Sequence, residues 1–131
     1  MKELLIVFLG GGAGSCCRFL CSACLRRWSE ARWGGQWPAF FPWGTLLVNV
    51  LGCLLIGFCY GLAARCRLSA DVLLLLTTGF CGGFTTFSTF SSEMLALLRS
   101  GQGALFALYA ALSLGAGLAA VWAGHRVASF F

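Results

Sequence analysis

The sequence predicts an all-α integral membrane protein with four transmembrane helices, forming a single membrane domain over residues 1–131. Of the 131 residues, 60% are hydrophobic and only 10% are charged, and the mean hydropathy is +0.89. A bilayer-spanning helix needs about 20 largely apolar residues, so this length accommodates four spans and short connections. The apolar runs are continuous, whereas the strands of a transmembrane barrel alternate over roughly ten residues.

The four apolar runs are separated by charged and turn-forming residues. The second and third connections are short, so consecutive spans are predicted to be antiparallel neighbours. Small residues recur at four-residue spacing in every span, which allows helices to approach closely in lipid. The predicted spans are residues 4–23, 44–64, 72–98 and 104–124.

The first connection is the longest one and is rich in tryptophan. Tryptophan is enriched where a membrane protein meets the membrane–water interface, so the connection is predicted to be an interfacial anchor. Its tryptophans are Trp28, Trp33, Trp37 and Trp43, four of the five in the chain.

Basic residues outside the spans divide evenly between the two sides of the membrane. An excess of Lys and Arg in short connections sets the orientation of a membrane protein, and here the count is four against four. Two interpretations stay equally open: the longer first connection fixes one orientation, or the chain inserts both ways and pairs into an antiparallel homodimer. One side carries Lys2, Arg65, Arg67 and Arg126, and the other carries Arg26, Arg27, Arg32 and Arg99.

The third span contains an unusual run, Gly-Phe-Cys-Gly-Gly-Phe-Thr-Thr-Phe-Ser-Thr-Phe, over residues 79–90. Gly79, Gly82 and Gly83 each lower the helix propensity by about 1 kcal/mol relative to Ala. The clustered hydroxyls can satisfy backbone groups that a break releases, so we expect a helix that is broken near its middle. Freed carbonyls at such a break often coordinate a cation. The alternative is a continuous helix with close glycine packing.

After the glycines, the third span has aromatic and polar residues at helical spacing. Phe87 and Phe90 share one face, and Thr85, Thr89 and Glu93 are predicted to share an adjoining one. Ring edges together with hydroxyls would suit a small anion, and ring faces would suit a cation; simple packing is the commoner role of such rings. Glu93 is either a solvated vestibule residue or a hydrogen-bond acceptor for Thr89.

Two further polar stripes lie on the second and fourth spans. Asn49, one turn after Thr45, is expensive in hydrocarbon unless it is paired or wetted. Its two N–H donors can replace part of the hydration shell of an anion, and an interhelical hydrogen bond is the alternative. On the fourth span, Tyr109, Ser113 and Gly117 follow four-residue spacing, a pattern that small-residue packing alone would also explain.

Arg18 is the one basic residue well inside a predicted span. We favour snorkelling, or capping of carbonyls on a neighbouring helix, over a direct ligand role. The sequence has no catalytic Ser/His/Asp set, no metal-spaced His/Cys cluster and no phosphate-binding loop, so an enzyme is not expected. The dispersed basic residues also argue against nucleic-acid binding.

Three segments together resemble the CrcB/Fluc family of fluoride channels: residues 10–18, 44–52 and 79–90. The resemblance extends over all four spans. It implies a fluoride-selective channel in the inner (plasma) membrane that lowers cytoplasmic fluoride by passive export. It also implies an antiparallel homodimer, inserted in both orientations, with two pores.

The resemblance also assigns roles to individual residues. It implies a structural sodium ion at the dimer centre, bound by the backbone carbonyls of Gly82 and Thr85 in each subunit. Independently of the resemblance, the capping interpretation gives Arg18 a structural role. The fluoride pathway that the resemblance implies consists of Asn49, Phe87, Thr89, Phe90, Glu93, Tyr109 and Ser113.

The alternative is a dual-topology small multidrug transporter, which also has four spans in a similar length. That class requires a membrane-embedded carboxylate in its first span for proton exchange. Here Glu3 lies at the very start, and the next acidic residue is Glu30.

Overall fold

The computed structural model describes residues 1–33, 41–65 and 67–131. Within these residues, four helical stretches are long and apolar enough to cross a membrane, which confirms the all-helical prediction and its four spans. The first, second and fourth spans are single helices: α1 (Lys2–Trp33), α2 (Trp43–Ala63) and α6 (Gly103–Ala128).

Helix α1 continues about ten residues beyond the predicted end of the first span. Arg26 and Arg27 are exposed helical residues, because a helix keeps its own backbone hydrogen bonds after it leaves the apolar layer. Of the tryptophans assigned to the first connection, Trp28 therefore lies within α1 and Trp33 ends it. Trp43 begins α2, and Trp37 lies outside the described residues.

The third span is broken, as the sequence predicts. It starts as α3 (Ala70–Leu74), continues as a π-helix (Leu75–Cys81) and a last short turn, α4 (Gly82–Phe84), and resumes as α5 (Phe87–Arg99). Two residues with extended backbone separate α4 from α5: Thr85 (φ −81°, ψ 160°) and Thr86 (φ −148°, ψ 117°). The side chain of Thr86 then caps α5 by accepting a hydrogen bond from the Thr89 N–H at 3.3 Å.

The break lies within the predicted run, at Thr85 and Thr86, and follows the glycines. A Cβ on Gly83 would overlap the Gly11 carbonyl oxygen of α1, and one on Gly79 would lie 3.0 Å from the Gly10 Cα. Gly79 and Gly83 are therefore contact positions within helical backbone. Threonines occupy the break because a β-branched residue suits extended backbone and its hydroxyl can cap a helix.

The closest packing pairs alternate spans rather than consecutive ones. α1 packs most extensively against the first half of the third span, and α2 packs most extensively against α6. In the second pair, a Cβ on Gly57 would overlap the Val121 carbonyl oxygen, and one on Gly124 would overlap the Leu54 carbonyl oxygen. The prediction that consecutive spans are neighbours holds only for smaller contacts, such as those between α1 and α2 and between α5 and α6. The short connections constrain where spans begin, whereas the small residues decide which spans touch.

Candidate functional site

A groove of about 360 Å³ lies between α2, the broken third span and α6. It follows the break, so its lining combines side chains with backbone that no longer belongs to a helix. Its walls include Asn49, Gly52, Cys53 and Ile56 from α2, Thr77, Cys81, Gly82, Thr85, Thr86, Phe87 and Phe90 from the third span, and Ser113 and Leu114 from α6.

The side-chain amide of Asn49 binds the backbone at the break. Its Oδ1 accepts a hydrogen bond from the Thr86 N–H at 2.8 Å, and its Nδ2 donates to the Thr86 carbonyl oxygen at 3.2 Å. Of the two sequence interpretations, the interhelical hydrogen bond is therefore present. The amide has one further N–H, and Asn49 lines the groove.

At the break, two backbone N–H groups that would bond to Gly82 and Thr85 in a continuous helix donate elsewhere. In a continuous helix, each carbonyl accepts from the N–H four residues later. The Thr86 N–H donates to Asn49 rather than to Gly82, and the Thr89 N–H donates to the Thr86 hydroxyl rather than to Thr85. The Gly82 and Thr85 carbonyls, which the family resemblance assigns to sodium, have therefore lost these helical donors.

Two side chains of α1 bind other parts of the same backbone. The Ser15 hydroxyl donates to the Gly83 carbonyl oxygen at 3.3 Å, and an Nη atom of Arg18 donates to the Thr85 carbonyl oxygen at 3.3 Å. Arg18 thus donates to a carbonyl of a neighbouring span, the contact that the capping interpretation describes. A carbonyl oxygen has two lone pairs, so this bond leaves Thr85 able to accept a second partner.

Glu93 accepts two hydrogen bonds from neighbouring helices. The Thr45 hydroxyl of α2 donates to Oε1 at 2.7 Å, and the Tyr109 hydroxyl of α6 donates to Oε2 at 2.8 Å. Glu93 is thus an acceptor, but Thr89 is not its partner: the Thr89 hydroxyl lies 3.0 Å from that of Thr86. The carboxylate fixes α2 and α6 relative to α5.

The aromatic residues form a continuous row along this network. The ring centroids of Phe87 and Phe90 are 5.9 Å apart, and those of Phe90 and Tyr109 are 5.0 Å apart. Tyr109 is completely buried, and Phe41 packs against its ring at 5.4 Å in an edge-to-face arrangement. Phe87 is at the other extreme, with 79% of its surface exposed.

Ser113 lines the groove on the α6 side. Its hydroxyl oxygen is buried and has no hydrogen-bond partner within the described residues. An unsatisfied buried hydroxyl costs about 1–3 kcal/mol, so this atom has capacity for a ligand in the groove. Ser113 and Asn49 thus face the groove from different helices, as the two predicted stripes require.

The predicted face of Thr85, Thr89 and Glu93 is not a single face, because the break separates Thr85 from the helix that carries the other two. Thr89 is exposed on α5, together with three serines. In a bilayer this row of hydroxyls faces lipid unless another surface covers it. The serines are Ser88, Ser91 and Ser92.

Sequence reasoning omitted two residues that contact the site. Thr45 was recognised as one turn from Asn49 but not as the donor to Glu93, and Ser15 was not considered. The four-residue spacing of Thr45 and Asn49 places both on one face of α2, and this could have identified Thr45 as a residue of the site. Nothing in the pattern indicates Ser15, because its partner is a backbone carbonyl.

The chain matches known proteins over nearly its whole length. A family model described as "CrcB-like protein, Camphor Resistance (CrcB)" matches residues 5–125. The chain belongs to the CrcB family. A Bacteroides fragilis member named "Fluoride-specific ion channel FluC" is 46% identical over 131 residues, covering 100% of this chain and 99% of that protein.

Two further CrcB relatives carry the same name. The one from Nitratidesulfovibrio vulgaris is 42% identical over 125 residues, covering 95% of this chain and 94% of its own length. The one from Phocaeicola vulgatus is 48% identical over 75 residues, covering 57% of this chain and 55% of its own length. These CrcB relatives are named as channels, in agreement with the prediction that the chain is not an enzyme. The family match and the four helices that can span a membrane together indicate that the chain is a multi-pass membrane protein.

Proposed function

We propose that this chain is a fluoride-selective channel that lowers cytoplasmic fluoride by passive export through the inner (plasma) membrane. The observation that carries the proposal is the full-length match to a relative named as a fluoride-specific channel. The groove at the break of the third span supports it, because its lining combines an amide, hydroxyls and phenyl rings.

The groove chemistry suits a small, strongly hydrated anion. Such an ion leaves water only where compact donors replace its hydration shell. The remaining N–H of Asn49 and the unpartnered hydroxyl of Ser113 are donors of this kind, and the positive edges of Phe87 and Phe90 add to them. Thr89, Glu93 and Tyr109 extend the proposed pathway along α5 and α6. A larger halide would fit less closely and would make weaker contacts.

The working unit that we propose is an antiparallel homodimer with two pores. One chain leaves Phe87 and the hydroxyl row of α5 exposed, and polar groups exposed to lipid are costly unless they are paired or wetted. A second copy would cover this surface and complete each groove. The even division of basic residues supports insertion in both orientations.

A structural sodium ion at the dimer centre is part of the proposal. The carbonyl oxygens of Gly82 and Thr85 fit this role, since both have lost their helical donors. Carbonyl oxygens at helix breaks are suitable ligands for sodium. Two carbonyls from each chain would supply four oxygens. The ion would neutralise the carbonyl ends of two broken helices.

Fluoride efflux from liposomes that contain the purified protein tests the function directly. We expect efflux of fluoride without comparable efflux of chloride. Phe90→Ile and Asn49→Ala should abolish it, and Leu51→Val, a half-exposed position on α2, serves as the matched control. Wild-type rates in both pore variants would contradict the proposed pathway. Drug resistance without fluoride resistance in expressing cells would instead favour a small multidrug transporter.

Dual insertion is tested by shifting the charge balance. Replacing Arg26 and Arg27 by Gln leaves four basic residues against two, and replacing Arg65 and Arg67 leaves two against four. Each double variant should insert in a single, opposite orientation and lose fluoride efflux when expressed alone, because an antiparallel dimer needs both. Co-expression should restore the efflux. Full activity of either variant alone, with one orientation shown by tag accessibility, would exclude the antiparallel dimer.

A further inference from the structure

We infer that Asn49 creates the cation site of this chain: by taking the Thr86 N–H, it keeps the Gly82 carbonyl oxygen open for a cation. This inference rests on the proposed function in one respect, since the ion concerned is the structural sodium. It gives Asn49 a role as a positioning residue that acts through the backbone, in addition to any contact with the anion.

The hydrogen bonds at the break carry the inference. The Thr86 N–H is four residues after Gly82 and would close the helical bond to its carbonyl. Asn49 Oδ1 accepts that N–H at 2.8 Å, and Asn49 Nδ2 binds the Thr86 carbonyl at 3.2 Å. The amide thus accepts an N–H that has left the helix. It also gives a second donor to the Thr86 carbonyl oxygen, which as the N-cap of α5 accepts the first bond of that helix.

The packing around α2 places Asn49 where it can do this. Gly52, one turn further along α2, lies against Thr85: a Cβ at this position would overlap the Thr85 Cγ2 and lie 3.5 Å from the Phe84 ring. The absence of a side chain at Gly52 lets the break approach α2 closely. The Asn49 amide then reaches both the N–H and the carbonyl oxygen of Thr86.

Without the amide, the two halves of the third span have a simpler alternative. The Thr86 N–H would be unpaired in a low-dielectric environment, which is unfavourable. The Thr86 N–H can then return to the Gly82 carbonyl and extend α4 by a residue. That bond would occupy the oxygen that the sodium needs. Loss of Asn49 should therefore weaken sodium binding, even though Asn49 is not itself a sodium ligand.

The experiment is solid-state NMR of the full-length protein in lipid bilayers, with labelled Gly and Thr. The Thr86 ¹³Cα and ¹³Cβ shifts report extended or helical backbone, and the helical Thr77–Thr78 pair is an internal reference. The carbonyl shifts of Gly82 and Thr85 are followed as NaCl replaces N-methylglucamine chloride. In the wild type we expect an extended Thr86 and sodium-dependent carbonyl shifts.

Two Asn49 variants of similar volume separate the loss of the hydrogen-bond acceptor from a change in side-chain volume. Asn49→Asp keeps an oxygen that accepts the Thr86 N–H, so it should retain the extended Thr86 and the sodium response. Asn49→Leu keeps the volume but has no acceptor. It should show helical Thr86 shifts and should need at least roughly tenfold more sodium, since two hydrogen bonds of ordinary strength are lost. Leu51→Val should behave as the wild type.

Each result decides for or against the inference. An extended Thr86 and a wild-type sodium response in Asn49→Leu would overturn it, as would loss of the response in Asn49→Asp. Absence of any sodium response in the wild type would also overturn it. Fluoride efflux is measured separately: if the wild type responds to sodium in the way described but conducts no fluoride, the inference stands and the proposed channel function does not.

Discussion

The contact between α2 and α6 depends on a glycine that has a matched control on the same helix. At Gly124, an added Cβ would overlap the Leu54 carbonyl oxygen and lie 2.8 Å from the Phe58 nitrogen. At Gly115, no atom of the described residues lies within 4 Å of an added Cβ. Alanine at these two positions therefore makes the same chemical change with and without a steric conflict. We expect Gly124→Ala to destabilise the protein and Gly115→Ala to leave it unchanged or slightly more stable.

The magnitude follows from the atoms that must move. The obstructing atoms at Gly124 are backbone, so no side chain can rotate away, and α6 has to separate from α2. Heavy-atom contacts are optimal at about 3.5–4.0 Å, so the 2.8 Å approach to the Phe58 nitrogen alone requires a shift of roughly 0.7 Å, and the overlap with the Leu54 carbonyl oxygen requires a larger one. A gap of this size forfeits at least a quarter of the contact energy. Overpacking of this kind costs about 1–3 kcal/mol.

At Gly115 only the helix-propensity gain remains, up to about 1 kcal/mol. Because this gain applies at both positions, we expect the two variants to differ by the overpacking cost alone, about 1–3 kcal/mol, or roughly 5- to 150-fold in the unfolding equilibrium. The assay is reversible unfolding by SDS in mixed micelles, followed by tryptophan fluorescence, with fluoride efflux measured on the same samples. Equal stability of Gly124→Ala and Gly115→Ala would refute the assignment of α2–α6 packing to close backbone contact.

Three further variants test the polar contacts of the site. Tyr109→Phe keeps the buried ring but removes the donor to Glu93, and should lower the unfolding free energy by about 1–2 kcal/mol. This loss should shrink in a Glu93→Leu background. A loss of the same size in that background would show that it comes from packing instead. Ser113→Ala removes a hydroxyl without a partner, so it should not destabilise the protein but should slow fluoride efflux; unchanged efflux would remove Ser113 from the pathway. Arg18→Met keeps the apolar stem but leaves the Thr85 carbonyl without its guanidinium donor, and should lower the unfolding free energy by about 1–3 kcal/mol; wild-type stability would show that the 3.3 Å contact contributes nothing.

The spans and the existence of the break could be predicted from the sequence, because both depend on local composition. Apolar length determines whether a helix crosses the bilayer, and a run of glycines and threonines is a poor continuous helix in any context. The position of the break could not be predicted in this way. Thr85 and Thr86 are extended because Asn49 and Arg18, on other helices, bind their backbone groups, and those partners are distant in sequence.

The partner of Glu93 illustrates the same limit. Four-residue spacing made Thr89 a plausible donor within α5, yet the carboxylate binds Thr45 and Tyr109 on two other helices. Thr89 instead takes part in the N-cap of its own helix, since its N–H donates to the Thr86 hydroxyl. Spacing identifies residues that share a face, but tertiary packing decides which of them meet.

The three segments that carry the family resemblance are also the three that meet at the break, and this gives the resemblance a physical cause. The first supplies the glycines that let α1 approach the third span and, with Ser15 and Arg18, donors for its carbonyls. The second supplies Asn49. A broken helix in lipid is stable only if protein satisfies its freed backbone groups, so the third-span motif requires the other two. Finding all three in order therefore indicates one assembled structure, which explains why they specify the family better than any one of them alone.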